Sequence, residues 1–321
     1  MKYFENKYTK KQERKKNIIQ LISTFITNAN LKGFFEGKIF TGSTKVACVP
    51  GLNCYSCPGA MGSCPIGSLQ AVIGSKKFSI SYYVLGIMIF IGALFGRLVC
   101  GLMCPFGFIQ DLLYKIPTKK FKIPKVIDKP LRYLKYLILL VFVILLPMFL
   151  TNKFGLAAPY FCKWICPAGA LEGAIPLVLK NESLRNTIGF LFFWKMGIMI
   201  FIVLMSIFTY RPFCRYLCPL GAFYAFFNKI GFYKMEFIPE KCTNCTLCEK
   251  ACKMDINVRK DPNSLECIRC GACIAACRYD ALNASFVGFG RKKEEADKAP
   301  ALSKGCAPSK CAGCKGCANV E

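Results

Sequence analysis

The apolar residues of this chain are bunched into unbroken runs. They recur neither at the 3.6-residue period of an amphipathic helix nor at the two-residue period of a strand. Three runs, 81–96 "SYYVLGIMIFIGALFG", 134–150 "LKYLILLVFVILLPMFL" and 187–208 "TIGFLFFWKMGIMIFIVLMSIF", approach the roughly 20 residues that cross a hydrocarbon core of about 30 Å. They predict three membrane-spanning helices. A fourth segment, 17–35 "NIIQLISTFITNANLKGFF", is interrupted by Asn28, Asn30 and Lys32, so it reads as a span, a re-entrant segment or an interfacial helix. It lacks the small-residue cleavage site of a signal peptide.

Charge decides between these. The 321 residues carry 44 Lys and Arg against 18 Asp and Glu, a net charge of +26. If all four segments cross, one side receives the basic N-terminus, the basic 111–135 loop and everything after Tyr210, while the sparser loops 36–77 and 151–186 fall opposite. The positive-inside rule then puts both termini in the cytoplasm of a multi-pass protein of the bacterial inner membrane. Basic loops beside an anionic leaflet make membrane lipid the expected partner. Nucleic acid is excluded, because the basic residues flank spans and do not cover a soluble domain. An acidic soluble electron carrier would suit the same face.

The densest chemistry lies at 242–277, "CTNCTLCEKACKMDINVRKDPNSLECIRCGACIAAC". Cys242, Cys245, Cys248 and Cys252 follow C-x₂-C-x₂-C-x₃-C, and Cys267, Cys270, Cys273 and Cys277 repeat it. Two such runs are the signature of a bacterial two-cluster ferredoxin, in which the fourth cysteine of each run ligates the other cluster. The spacing assigns Cys242, Cys245, Cys248 and Cys277 to one [4Fe–4S] cluster and Cys267, Cys270, Cys273 and Cys252 to the second. Zinc would accept the C-x₂-C pairs but needs neither the third cysteine nor the x₃ fourth, and disulfides are disfavoured in the cytoplasm. Lys253 and Arg278 stand where proline is usual after the fourth cysteine, and positive charge there should raise a cluster's reduction potential.

A second phrase occurs four times: "CPIG" at Cys64, "CPFG" at Cys104, "CPAG" at Cys166 and "CPLG" at Cys218. The last three have a cysteine four residues upstream, at Cys100, Cys162 and Cys214. Position 60 is Ala, and the first phrase has Cys48, Cys54 and Cys57 nearby instead. Proline after the cysteine can begin a helix and the glycine permits close backbone approach, so each phrase predicts a cysteine pair on a turn between a membrane helix and a short helix. The charge-derived orientation puts Cys100, Cys104, Cys214 and Cys218 inside, and Cys162, Cys166, Cys64 and the Cys48/Cys54/Cys57 group outside. Four thiolates are the complement of one [4Fe–4S] cluster, which leaves room for one or two further clusters at the membrane faces. Packed apolar thiols are the alternative for the inner four, and disulfides for the outer group.

With these motifs on about residues 15 to 285, the chain resembles the NapH-type membrane ferredoxins and the membrane and ferredoxin portion of NosR-like proteins. The resemblance rests on Cys100/Cys104, Cys214/Cys218 and the eight ferredoxin cysteines. It implies electron transfer between the quinone pool or a cytoplasmic donor and an extracytoplasmic redox partner. The outer cysteines are additional to the pattern, and no separate N-terminal flavin domain of the NosR kind precedes the spans.

The fold class expected is an α-helical membrane protein with about four transmembrane helices, followed by a small α+β bacterial two-[4Fe–4S] ferredoxin domain. Its parts are a basic cytoplasmic N-terminus (1–16), a membrane domain (17–235), the ferredoxin domain (236–284), and a linker with a Cys-rich tail (285–321). Cys306, Cys311, Cys314 and Cys317 of the tail suit a third soluble cluster, a zinc or other metal site, or a flexible thiol-rich end. The chain has no histidine, which excludes His-ligated haem, a Rieske centre and an imidazole base. The expected function is therefore an electron-transfer component, not a stand-alone catalyst. Two rivals are an enzyme with a quinone pocket lined by Arg97, Asp111, Glu172 and Arg211, and a membrane redox or metal sensor using its thiol-rich loops. Span-end anchors and helix caps are the simpler reading of those four residues.

Overall fold

The computed structural model describes residues 5–74, 82–121, 123–150 and 157–286. The tail cysteines Cys306, Cys311, Cys314 and Cys317 lie outside them.

The N-terminal helix, Lys7–Thr27, begins at a reciprocal cap: the Asn6 side chain accepts from the Thr9 N–H, and the Thr9 hydroxyl accepts from the Asn6 N–H. It stops at Asn28, whose amide donates to the Thr24 carbonyl, and the chain resumes as a short helix, Leu31–Glu36. The 17–35 segment is thus broken into two pieces. Among the described residues two helices are long and apolar enough to cross a membrane, Lys125–Phe149 and Phe190–Phe208, and a third apolar helix, Tyr82–Phe95, is shorter. Two described helices thus meet the length and composition of a span, where the sequence leads one to expect about four. Lys125–Phe149 runs through a π-helical stretch at Leu139–Leu145 without breaking.

Each Cys-Pro-x-Gly phrase forms the same turn. One-turn helices at Leu98–Leu102, Tyr160–Trp164 and Pro212–Tyr216 carry the first cysteine of the second, third and fourth phrases. The second cysteine has extended backbone at Cys64, Cys104 and Cys218, and proline opens the following helix at Pro65, Pro105 and Pro219. The phrase glycine explains itself here. The N–H groups of Gly107 and Gly221 donate to the Cys104 and Cys218 sulfurs at 3.4 Å, and those of Gly67 and Gly169 reach Cys64 and Cys166 likewise.

The C-terminal unit is a two-stranded antiparallel sheet, β1 (Tyr233–Phe237) against β2 (Leu282–Phe286), closed over two one-turn helices, Leu247–Ala251 and Ala272–Ala276. Its two cysteine runs share one backbone path offset by 25 residues. Left-handed conformations recur at Asn244 and Arg269, at Thr246 and Gly271, and at Asp255 and Asp280. Such residues are costly unless the surroundings fix them, so the repetition marks two equivalent loops wrapped around equivalent volumes.

Candidate iron-sulfur sites

Two cavities open in the ferredoxin unit. One is lined by Cys252, Cys267, Cys270 and Cys273 among apolar side chains including Met254, Ile256 and Ile268. The other is lined by Cys242, Cys245, Cys248 and Cys277. Each thus takes three cysteines from one run and the fourth from the other. All described cysteines are free thiols. Burial pushes Cys252 up to about 12 and Cys267 up to about 11, as suits thiols that ionise when a metal displaces the proton. Among the described residues no three Cys, Asp or Glu side chains are placed to hold a single metal ion. A single zinc needs ligands at about 2.0–2.3 Å, whereas four thiols on the corners of a cube stand further apart. The residues present fit a [4Fe–4S] cluster in each cavity.

In the membrane domain the second and fourth phrases come together. Cys100, Cys104, Cys214 and Cys218 are all buried in one core and lie within electrostatic reach of one another. Their surroundings follow an approximate two-fold exchange. Arg211 Nη1 donates to the Cys100 carbonyl at 2.6 Å, and Arg97 Nη2 donates to the Cys214 carbonyl at 3.2 Å. Each arginine precedes its own cysteine by three residues and serves the opposite hairpin. Both are fully buried and neutralised: Arg211 by Asp111, which also pairs with Lys16 at 2.8 Å, and Arg97 by Glu266, which also pairs with Lys135. Gln110 completes the frame, accepting from the Phe213 N–H and donating to the Cys214 sulfur at 3.1 Å. Arg97, Asp111 and Arg211 are therefore neither span-end anchors nor side-chain caps; they hold the backbone around four thiols.

Outside this set, Cys64 and Cys166 are buried and Cys162 is half-buried, and all three lie within electrostatic reach of Cys54. Cys57 points its thiol to Asn28 Oδ1 at 3.6 Å, and Cys48 bonds the Ser68 hydroxyl. Glu172 lies half-buried behind Cys54. Its Oε2 accepts from the Cys54 N–H at 2.9 Å, Oε1 has no hydrogen-bond partner, and burial pushes the carboxyl up to about 7.

The two membrane-domain sets are neighbours. A side chain added at Gly51 would place its Cβ 2.9 Å from the Cys104 Cα, and only three residues separate Gly51 from Cys54. Since extended chain covers at most about 3.6 Å per residue, the Cα atoms of Cys54 and Cys104 lie within roughly 15 Å. A separation by the whole hydrocarbon thickness, expected from the charge-sorted loops, is overturned: the 48–54 loop threads inward. Tyr224, fully buried, sits between the sets within reach of Cys100, Cys104, Cys48 and Cys64, its hydroxyl donating to the Pro50 carbonyl at 3.2 Å.

The ferredoxin unit docks on the same core. Ile268, between two cavity cysteines, packs so closely on Gly101 that a Cβ there would lie 2.3 Å from the Ile268 oxygen. Asn228 donates to the carbonyls of Ser264 and Cys267, Arg269 donates to those of Phe95 and Asn228, and Arg97 reaches the Leu265 carbonyl. The N-terminal helix laces both parts, through Gln12 to the Cys270 carbonyl and Glu13 to Lys253 in the ferredoxin unit and Lys16 to Asp111 in the membrane domain. Sequence reasoning passed over Gln70, Gln110, Tyr224 and Asn228. A signal existed for the first three: six residues after each phrase cysteine stand Gln70, Gln110, Glu172 and Tyr224.

A family model described as a 4Fe-4S binding domain matches residues 82–124, 135–176 and 191–236, so that each match encloses one cysteine pair: Cys100/Cys104, Cys162/Cys166 or Cys214/Cys218. An uncharacterized protein of Methanocaldococcus jannaschii is 34% identical over 62% of this chain and 76% of its own length. The regulatory protein NosR of Stutzerimonas stutzeri is 26% identical over 65% of this chain and 27% of its own. The ferredoxin-type protein NapH of Haemophilus influenzae is 24% identical over 38% and 60%. No solved structure matches. Three cysteine-pair hairpins under a 4Fe-4S model, in a helical chain ending in a ferredoxin unit, place the protein: it belongs to the NapH/NosR-like family of polyferredoxins, iron–sulfur proteins of electron transfer that bind [4Fe–4S] clusters.

Proposed function

We propose that the protein is a multi-pass membrane electron conduit. Electrons enter or leave at the ferredoxin unit on the cytoplasmic face and pass through the Cys100/Cys104/Cys214/Cys218 site toward a redox partner across the membrane. The observation that carries this reading is the docking of the Cys267–Cys270 loop onto Gly101, one residue from Cys100, with Arg97 spanning from the Leu265 carbonyl to the Cys214 carbonyl. Bound [4Fe–4S] clusters would supply the one-electron carriers. The protein's own groups keep the path dry and set its electrostatics: glycine N–H and Gln110 amide donors to sulfur, and two buried arginines whose charge favours the reduced state. A quinone, if it is the donor, would act at the lipid-facing side of the same helices.

Four crossings with both termini in the cytoplasm belong to this reading. In the two long apolar helices only 22% and 17% of the residues in the most apolar window are buried, too few for core helices of a soluble protein. The N-terminal helix turns Lys16 and Gln20 inward and exposes Ile18, Ile22, Phe25 and Ile26, a polarity that suits lipid contact. Reporter fusions should place Lys119 and the 242–277 unit in the cytoplasm and Lys180 outside. A fusion at Lys180 active only in the cytoplasm would discard the four-span arrangement.

Cys245→Ala should remove the cluster of the Cys242/Cys245/Cys248/Cys277 cavity and weaken its neighbour, because each run contributes to both cavities. Two intact cubane signals in the variant's low-temperature spectrum would refute the cross-ligated assignment.

A further inference from the structure

The first and third Cys-Pro-x-Gly phrases repeat the glutamine and glycine bonds of the frame that joins the second and fourth. Gln110 accepts from the Phe213 N–H and donates to the Cys214 sulfur; Gln70 accepts from the Phe161 N–H at 3.0 Å and donates to the Cys162 sulfur at 3.4 Å. In both cases the glutamine stands six residues after the phrase cysteine and grips the upstream cysteine of the partner phrase. The phrase-glycine N–H reaches the phrase cysteine at all four positions. One corner differs. Where the second phrase has Cys100, the first has Ala60, fully buried and without a sulfur.

The 48–64 loop supplies a substitute. Cys54 interacts with Cys64, Cys162 and Cys166 alike, and its sulfur lies over Gly169, where an added Cβ would stand 3.8 Å away. The bond from its N–H to Glu172 fixes its backbone. Lys195, reaching in from the Phe190–Phe208 helix, brings positive charge to Cys54 and Cys162, as Arg97 and Arg211 do for the other set. Cys57 and Cys48 have turned to Asn28 and Ser68.

We propose that Cys54, Cys64, Cys162 and Cys166 hold a second [4Fe–4S] cluster in the membrane domain, with Cys54 donated from the loop in place of the cysteine that Ala60 lacks. Cys48 and Cys57 are not ligands. This rests on the reading that the Cys-Pro-x-Gly phrases are cluster ligands, and it extends the chain of sites to four.

The test is the iron and sulfide content, with the low-temperature magnetic-resonance spectrum, of the anaerobically purified full-length chain. The wild type should carry about sixteen irons. Cys54→Ser should lose about a quarter of them together with one signal. Cys57→Ser and Cys48→Ser should lose none. Cys214→Ser should lose a different quarter, and the Cys54/Cys214 double variant about half. Full iron in Cys54→Ser overturns the proposal, as does loss of the same signal in Cys57→Ser or collapse of the ferredoxin signals in Cys54→Ser. If Cys214→Ser loses iron while Cys54→Ser does not, only this inference fails; if neither loses iron, the reading of the phrases fails with it.

Discussion

Serine at Cys214 is expected to abolish one cluster and uncouple the two ends of the protein. A cubane has one corner per ligand and no spare, so Cys100→Ser, Cys104→Ser and Cys218→Ser should erase the same signal. The ferredoxin clusters should survive, because their eight ligands lie in other cavities. Reduction of the ferredoxin unit should then no longer reach the far side of the membrane domain, since the docking loop at Ile268 abuts Gly101 and the next site lies beyond Tyr224. The decisive measurement is iron content together with transmembrane electron flow in the four variants. Unchanged values in all of them would mean that the cysteines are packed thiols and that the conduit does not exist as drawn.

Glu266→Ala should be the most damaging change at a residue other than cysteine. Glu266 is the carboxylate between two fully buried cations, Arg97 and Lys135, with Lys135 Nζ 2.6 Å from Oε2. Arg97 keeps the Leu265 and Cys214 carbonyls, whereas Lys135 loses the Glu266 carboxylate it donates to and retains the Tyr136 ring face. Removing one partner of a buried ion pair costs about 3–5 kcal/mol, because the remaining charge is left in a poor solvent. The loss should appear as undocking of the ferredoxin unit, read by limited proteolysis after Phe232 and by denaturant unfolding in detergent. Lys135→Met in the Glu266→Ala background should recover part of the loss, since the uncompensated charge goes with it. A single-variant cost below about 1 kcal/mol would show that this network does not secure the docking.

Much of the protein was legible along the chain. The ferredoxin cysteines obey a local spacing rule, and local rules survive folding: three thiols within seven residues wrap one volume whatever surrounds them. The repeated Cys-Pro-x-Gly phrase was legible for the same reason, because proline and glycine act within a few residues of where they stand. The N-terminal segment was not. Its apolar residues suggested a span of 17–35, but the Asn6 cap starts the helix earlier and Asn28 ends it, and its polar face was already claimed by Asp111 and the Cys270 carbonyl.

What the sequence by itself determined was the cofactor chemistry and the ferredoxin unit. Tertiary structure alone decided how the phrases that the charged loops sort together, second with fourth and first with third, are bonded to one another. It also decided that Arg97 and Arg211 each serve the opposite hairpin, and that the 48–54 loop brings Cys54 close to Cys104. The physical reason is that pairing joins residues about a hundred positions apart through buried hydrogen bonds and ion pairs. Those bonds form because desolvated charges and amides must find partners wherever the packed helices present them, and no local period along the chain records where that will be.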